Sequence, residues 1–156
     1  MENMIDLTKL NKVAEIELVY KSKVRPSQRP SIKDSSTTYE ILMKTWDEGK
    51  IELVEEFKVL LLNTNHKVLG IYEVSQGGIT SVIADLKLIF AAALKASASR
   101  LILAHNHPSG GLKPSKNDID LTSKIKQGGQ FLDIILLDHM IVTKEGYYSF
   151  ADEGVL

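Results

Sequence analysis

The sequence predicts a single α/β domain, a mixed β-sheet layered with helices. Three observations carry that expectation. Short apolar runs of strand length alternate along the chain with longer segments of helical period. Gly, Pro and Asn punctuate the boundaries between them. A chain of 156 residues, 44% hydrophobic and 25% charged, is long enough for one proper core and too short for two comfortable ones.

Taken in order, residues 13–20, Val-Ala-Glu-Ile-Glu-Leu-Val-Tyr, alternate in part and predict a strand. From Lys21 to Lys33 come five basic residues, no acidic one, and Pro26 and Pro30, the composition of a linker or exposed arm. Residues 1–35 are therefore expected to form an N-terminal strand and basic arm, and residues 36–156 the domain. Ser35 and Ser36 offer an N-cap to a helix with Tyr39, Leu42, Met43 and Trp46 on one face, ended by Gly49. Residues 56–62 predict a strand, Asn63-Thr64-Asn65-His66 a turn, and residues 68–74 the returning strand of a hairpin. After Gly77-Gly78, the spacing of Val82, Leu86, Phe90 and Ala93 predicts an amphipathic, Ala-rich helix over about 82–98. Residues 101–104, Leu-Ile-Leu-Ala, form a short buried strand. A helix over 116–127 follows, closed by Gly128-Gly129. Residues 132–137 and 140–142 predict two further strands, and 147–150 a last short one.

Composition narrows the function classes. A net charge of -1 argues against a protein whose main task is to hold nucleic acid by its phosphates. The absence of cysteine excludes disulfides, thiolate zinc sites, a Cys nucleophile and the nucleobase deaminases, whose zinc site needs cysteines. The start, Met1 to Asp6, has no basic and apolar leader pattern, and the longest apolar stretch, residues 88–94, is far too short to span a bilayer. The expectation is a soluble, cytoplasmic protein with no membrane contact.

The most informative stretch is His105-Asn106-His107-Pro108, followed by Ser115 and Asp118. Side chains at i and i+2 leave a strand on the same face, so His105 and His107 would point together from the end of the strand at 101–104. Pro108-Ser109-Gly110-Gly111 then breaks the strand. Ser115 reads as a helix N-cap with Asp118 one turn in, an arrangement that by itself needs no metal. Together, strand end, loop and helix start bring two imidazoles and a carboxylate to one point. That is a three-ligand set suited to a hydrolytic Zn²⁺ site with a fourth position open. His139 interrupts an apolar run and reads as a hydrogen-bonded core residue, and His66 as an exposed turn residue.

His105-x-His107-Pro108, six residues, then Ser115-x-x-Asp118 resembles the JAMM motif of the MPN-type zinc metalloproteases and isopeptidases. The wider wording, Leu103 to Gly110 and Leu136 to Val142, is closer still to the bacterial RadC-like branch, historically labelled as DNA repair proteins. The resemblance covers residues 36–156 and implies a cytidine-deaminase-like, JAB/MPN type of α/β fold. It also implies that an upstream Glu opening a strand works with the zinc-activated water. Glu56, followed at once by Phe57-Lys58-Val59-Leu60-Leu61-Leu62, is similar to that segment and is the position carried over. Glu55, which would face the opposite side of the strand, and Glu73, near the end of the next one, are the alternatives.

Under this resemblance His105, His107 and Asp118 hold Zn²⁺, Glu56 moves the proton to the leaving amine, and Ser115 hydrogen-bonds the oxyanion, caps the helix, or does both. Asn106 departs from the Ser or Thr that most JAMM proteases carry between the histidines. Residues 1–35 are too short and too unlike the helix-hairpin-helix segment that often precedes this domain, which removes the main family argument for DNA contact. Two functions follow. The first is a zinc-dependent peptidase or isopeptidase-type amide hydrolase acting on a peptide or protein conjugate. The second is a non-catalytic JAMM-fold binding module in DNA repair, recombination or mobile-element processing. The intact ligand set and Glu56 favour the first.

Overall fold

A computed structural model describes residues 12–17, 19–77 and 84–156. Its elements run α1 (Ser35–Thr45), β1 (Glu56–Leu62), β2 (Val68–Gln76), α2 (Leu86–Lys95), β3 (Arg100–Asn106), α3 (Lys116–Phe131), β4 (Ile135–Thr143) and β5 (Gly146–Ser149). The strands form one mixed sheet in the order β2-β1-β3-β4-β5. β1 pairs antiparallel with β2 and β3, β3 and β4 are parallel across the α3 crossover, and β5 returns antiparallel to β4. The mixed sheet layered with helices is the predicted architecture.

The sheet has a core on each face, because alternate residues of a strand point to opposite sides. Phe57, Val59 and Leu61 of β1 join Leu101 and Leu103 of β3 against Ile89 and Ala93 of α2 and Ile125 of α3. On the other face, Leu60, Leu62, Ile102, Ala104, Met140 and Val142 pack on Leu42 of α1, Trp46 and Ile51. The central strands are buried on both faces, which is why β1 reads as an apolar run apart from Glu56 and Lys58.

Several boundaries differ from expectation. Residues 13–17 and 19–20 form no strand and are exposed; the alternation there meets no sheet edge that pairs with it. The N-cap of α1 is Asp34, not Ser35 or Ser36, its carboxylate accepting from Thr37 N and Thr37 Oγ1 at 2.7 Å each. α1 ends at Thr45 rather than at Gly49. α2 is shorter than predicted and starts after Asp85, whose carboxylate accepts from Lys87 N at 2.8 Å; residues 82–83 of the prediction lie outside the described residues. β3 runs on to Asn106, so His105 belongs to the strand.

Gly128 and Gly129 lie inside α3 instead of ending it. A Cβ on Gly129 would sit 2.3 Å from the carbonyl oxygen of Ile134, so the glycine serves a close approach of helix and following chain. The two strands predicted over 132–142 are one, β4. Asp138 and His139 stay inside it because their polar atoms are satisfied: the Asp138 carboxylate accepts from His139 N (2.8 Å), Ser149 Oγ (2.6 Å) and Ala151 N (3.0 Å). His66 is half-buried rather than exposed. Among the described residues no helix is long and apolar enough to cross a membrane.

Candidate metal centre

The site lies where β3 ends and α3 begins, at the carboxyl end of a parallel strand pair and beside a helix N-terminus, a position at which open α/β sheets form their crevices. His105 leaves β3 on the α2/α3 face, pairs in register with Phe57 and stacks on its ring at 5.8 Å. His107 follows the last strand residue, and the chain turns back at once. Gly110 N donates to His107 O at 2.9 Å, and Gly110 has φ +83°, a conformation that suits glycine. This turn leaves His107 Nε2 3.0 Å from His105 Nε2.

Asp118 arrives from α3 through a capping box. Ser115 N donates to Asp118 Oδ2 at 2.7 Å, and Asp118 N donates to Ser115 Oγ at 3.1 Å. One carboxylate oxygen is thereby tied to the helix start. The other, Oδ1, lies 3.4 Å from His105 Nε2, and Oδ2 is 4.0 Å from His107 Nε2. The cap therefore also aims Asp118. Burial opposes ionisation of Asp118, but the adjoining His105 side chain and the hydrogen bonds with Ser115 outweigh it and hold the carboxyl well below its ordinary range.

Between these residues the sequence expectation needs one correction. Glu56 shares a face with Lys58, whose Nζ lies 3.9 Å from Glu56 Oε2 and 4.3 Å over the Trp46 ring, on the α1 side of the sheet. Glu56 is 1% exposed and turned away from the histidines. Glu55, one residue earlier and half-buried, groups instead with His105 and His107, the three ligand atoms all within 4.8 Å of one another. Burial raises the Glu55 carboxyl above its usual value, with His105 opposing and Asp118 adding to the effect. Glu73 pairs with Lys58 at 3.9 Å and stands on that same far side.

Two buried residues support the site, of which His139 is the hydrogen-bonded core residue that the sequence predicted. Asn106, fully buried, donates from Nδ2 to Ile51 O (2.7 Å) and Val54 O (2.8 Å) and accepts from Glu56 N (2.7 Å). It clips the 51–56 segment to β3 and so places Glu55; its position between two site histidines was the available signal. His139, fully buried, lies 2.8 Å from His105 Nδ1 and 2.6 Å from Thr122 Oγ1. Burial first, then the neighbouring His105, push the His139 imidazole well below its ordinary value, so it is neutral.

The donor chemistry suits a divalent ion. His107 Nδ1 is 2.8 Å from Gly111 O. A carbonyl only accepts, so this nitrogen carries the hydrogen. Burial and His105 lower the His107 pKa, leaving a neutral ring with a lone pair on Nε2. Donors at about 2.0–2.2 Å from a tetrahedral zinc stand roughly 3.3–3.6 Å apart. His105 Nε2 stands 3.0 Å from His107 Nε2 and 3.4 Å from Asp118 Oδ1, close to that spacing, and His107 Nε2 lies 4.0 Å from the other carboxylate oxygen.

The sequence matches the family model described as the RadC-like JAB domain over residues 32–155. The chain belongs to the RadC-like JAB domain family. Relatives of this RadC-like domain include a UPF0758 protein of Flavobacterium johnsoniae, 50% identical over 65% of this chain and 44% of its own length. A UPF0758 protein of Porphyromonas gingivalis is 41% identical over 84% of this chain and 59% of its own. One from Symbiobacterium thermophilum is 33% identical over 92% of this chain and 60% of its own. The RadC-like chain thus spans about half of the length of the curated relatives it matches.

Proposed function

We propose that this RadC-like domain is a zinc-dependent amide hydrolase of peptidase or isopeptidase type. The observation that carries the reading is the convergence of His105 Nε2, His107 Nε2 and the Asp118 carboxylate, with Glu55 grouped against the same two histidines. His105, His107 and Asp118 would hold the ion. Bound there, zinc supplies Lewis acidity, making water acidic enough to attack near neutral pH and polarising the amide carbonyl.

The chain's own residues do the rest. Glu55 takes the proton from the attacking water and returns it to the departing amine nitrogen, a role that its partly desolvated carboxylate suits. Ser115 is exposed, and its Oγ accepts from Asp118 N, so its own hydroxyl hydrogen remains to stabilise negative charge developing on the carbonyl oxygen. A cleft of about 180 Å³ opens beside His107 between Pro108, Ser109 and Gly110 on one side and Thr143 and Lys144 on the other. It fits a side chain or extended backbone of a peptide or protein conjugate.

A peptide library incubated with the zinc-loaded protein tests the reading. Cleavage should appear, stop with a chelator and return with added Zn²⁺. Turnover that persists unchanged after the metal is stripped would refute it. The competing reading, a binding module for DNA processing, draws on the exposed Lys21, Lys23, Arg25 and Lys33 of the basic segment and is tested by DNA titration.

A further inference from the structure

The cleft beside His107 does not end at its own wall. Ile51 and Lys144, which line it, also line a second cavity of about 380 Å³ together with Met43, Trp46 and Glu48. The two spaces therefore share a partition. One part of it is Ile51, buried and tied to β3, since Asn106 Nδ2 donates to Ile51 O at 2.7 Å. The other part is a bridge from the β4–β5 turn to the segment before β1, in which Lys144 Nζ donates to Glu52 Oε2 at 2.8 Å. Both side chains of this pair are well exposed, and ion pairs in water are weak, so a bound chain can displace the bridge or pass over it.

The cavities differ in chemistry. The first is walled by the turn Pro108 to Gly110 and by the β4–β5 turn, and suits main chain or a small side chain. The second has Met43, Trp46 and Ile51 as its apolar walls. An apolar cavity of about 150 Å³ already takes up a benzene ring, so this one has room for any aliphatic or aromatic side chain. The flexible thioether of Met43 adapts to occupants of different shape. Charge adds a second preference. Lys144 is engaged with Glu52, which leaves Glu48 at the second cavity and Glu145 at the first as a negative rim. Such a rim favours a basic residue and disfavours an acidic one.

We propose that the two cavities are successive subsites for one extended peptide segment, and that the second takes a bulky apolar side chain with a basic residue next to it. Alternate side chains of an extended chain face the same way, about 6.6 Å apart, so the apolar residue stands at a fixed offset from the amide held at the histidines. Met43 and Glu48 then select which chains bind, while Glu55 and the histidines act on the bond.

The inference rests on the amide-hydrolase reading, and its test reads binding and cleavage separately. Trp46 is the only tryptophan of the chain, so its fluorescence reports on the second cavity. Zinc-loaded wild-type protein is titrated with the peptide Gly-Gly-Lys-X-Gly-Gly, in which X is 4-nitrophenylalanine, a quencher of tryptophan emission. Quenching should be saturable. Unlabelled peptides with Leu or Phe at X should compete roughly 10–100-fold better than the one with Gly, the difference that burial of such a side chain gives. Glu in place of the peptide Lys should weaken competition, and Glu48→Lys should reverse that order. Met43→Arg, which sets a long cation against the cavity, should abolish quenching. Should that variant fail to fold, Glu48, which is exposed, still carries the test. In a peptide library, the bond cut should lie at one constant offset from an apolar residue.

Absence of saturable quenching, equal competition by the Leu and Gly peptides, or a Glu48→Lys protein with the wild-type charge order would overturn the second subsite. Cleavage of the library with no preference for an apolar residue at any offset would overturn it as well, and would leave the hydrolase reading intact. Apolar-selective quenching without cleavage of any peptide would refute the hydrolase reading and uphold the cavity as a peptide site.

Discussion

Glu55 and Glu56 are neighbours at the start of β1 and turn to opposite sides of the sheet, so a single residue of register decides which carboxylate meets the histidines. Glu55→Gln should keep fold and metal while lowering turnover by roughly 10²–10⁴-fold, the usual contribution of a general base. Glu56→Gln should leave turnover nearly unchanged. Its cost falls on stability, about 1–3 kcal/mol by denaturant unfolding, because Lys58 loses its buried counter-charge. The reverse pattern would mean that Glu56 faces the site. The sequence could not separate the pair, since a run apolar on both faces carries no alternation to show which residues look which way. The convergence of His105, His107 and Asp118 was legible, because the i and i+2 histidines, the turn residues after them and the Ser-x-x-Asp start of a helix each leave a local pattern. The Thr122–His139 contact was not, as its residues lie on different elements, 17 positions apart.

The segment that carries Glu55 is held to β3 by Asn106, so a residue without direct contact with substrate governs the site. Asn106→Ala would leave Ile51 O, Val54 O and Glu56 N without their present partners. Stability should fall by roughly 1–3 kcal/mol. Turnover should fall further than the unfolded fraction explains, while zinc content stays near the wild-type level. A variant that loses stability alone, with full specific activity, would show that Glu55 needs no such clip. Elements with a strong internal pattern, β1, the β1–β2 hairpin and the start of α3, were predicted close to their observed bounds. Those that failed were decided by tertiary contact. The glycines of α3 answer to Ile134 rather than to a helix end, and Asp138 and His139 remain within β4 because partners from β5, the turn after it and α3 satisfy them.

For the molecule as a whole, the α/β layering was legible from the order of apolar runs and helical periods, whereas the strand order β2-β1-β3-β4-β5 is a product of long-range pairing that no local window contains. The net charge of -1 also acts at this scale. Titration with labelled duplex DNA at physiological salt should give at most the non-specific range of about 10⁻⁴ to 10⁻⁶ M. Nanomolar affinity would favour the binding-module reading. The most direct test of the account is elemental analysis of the protein purified after expression with added zinc, beside His107→Ala. The account predicts about one Zn²⁺ per folded wild-type chain and a sharp loss in the variant, because one of three protein ligands is gone. Wild-type protein without zinc, or a His107→Ala protein that keeps its full complement, would contradict it.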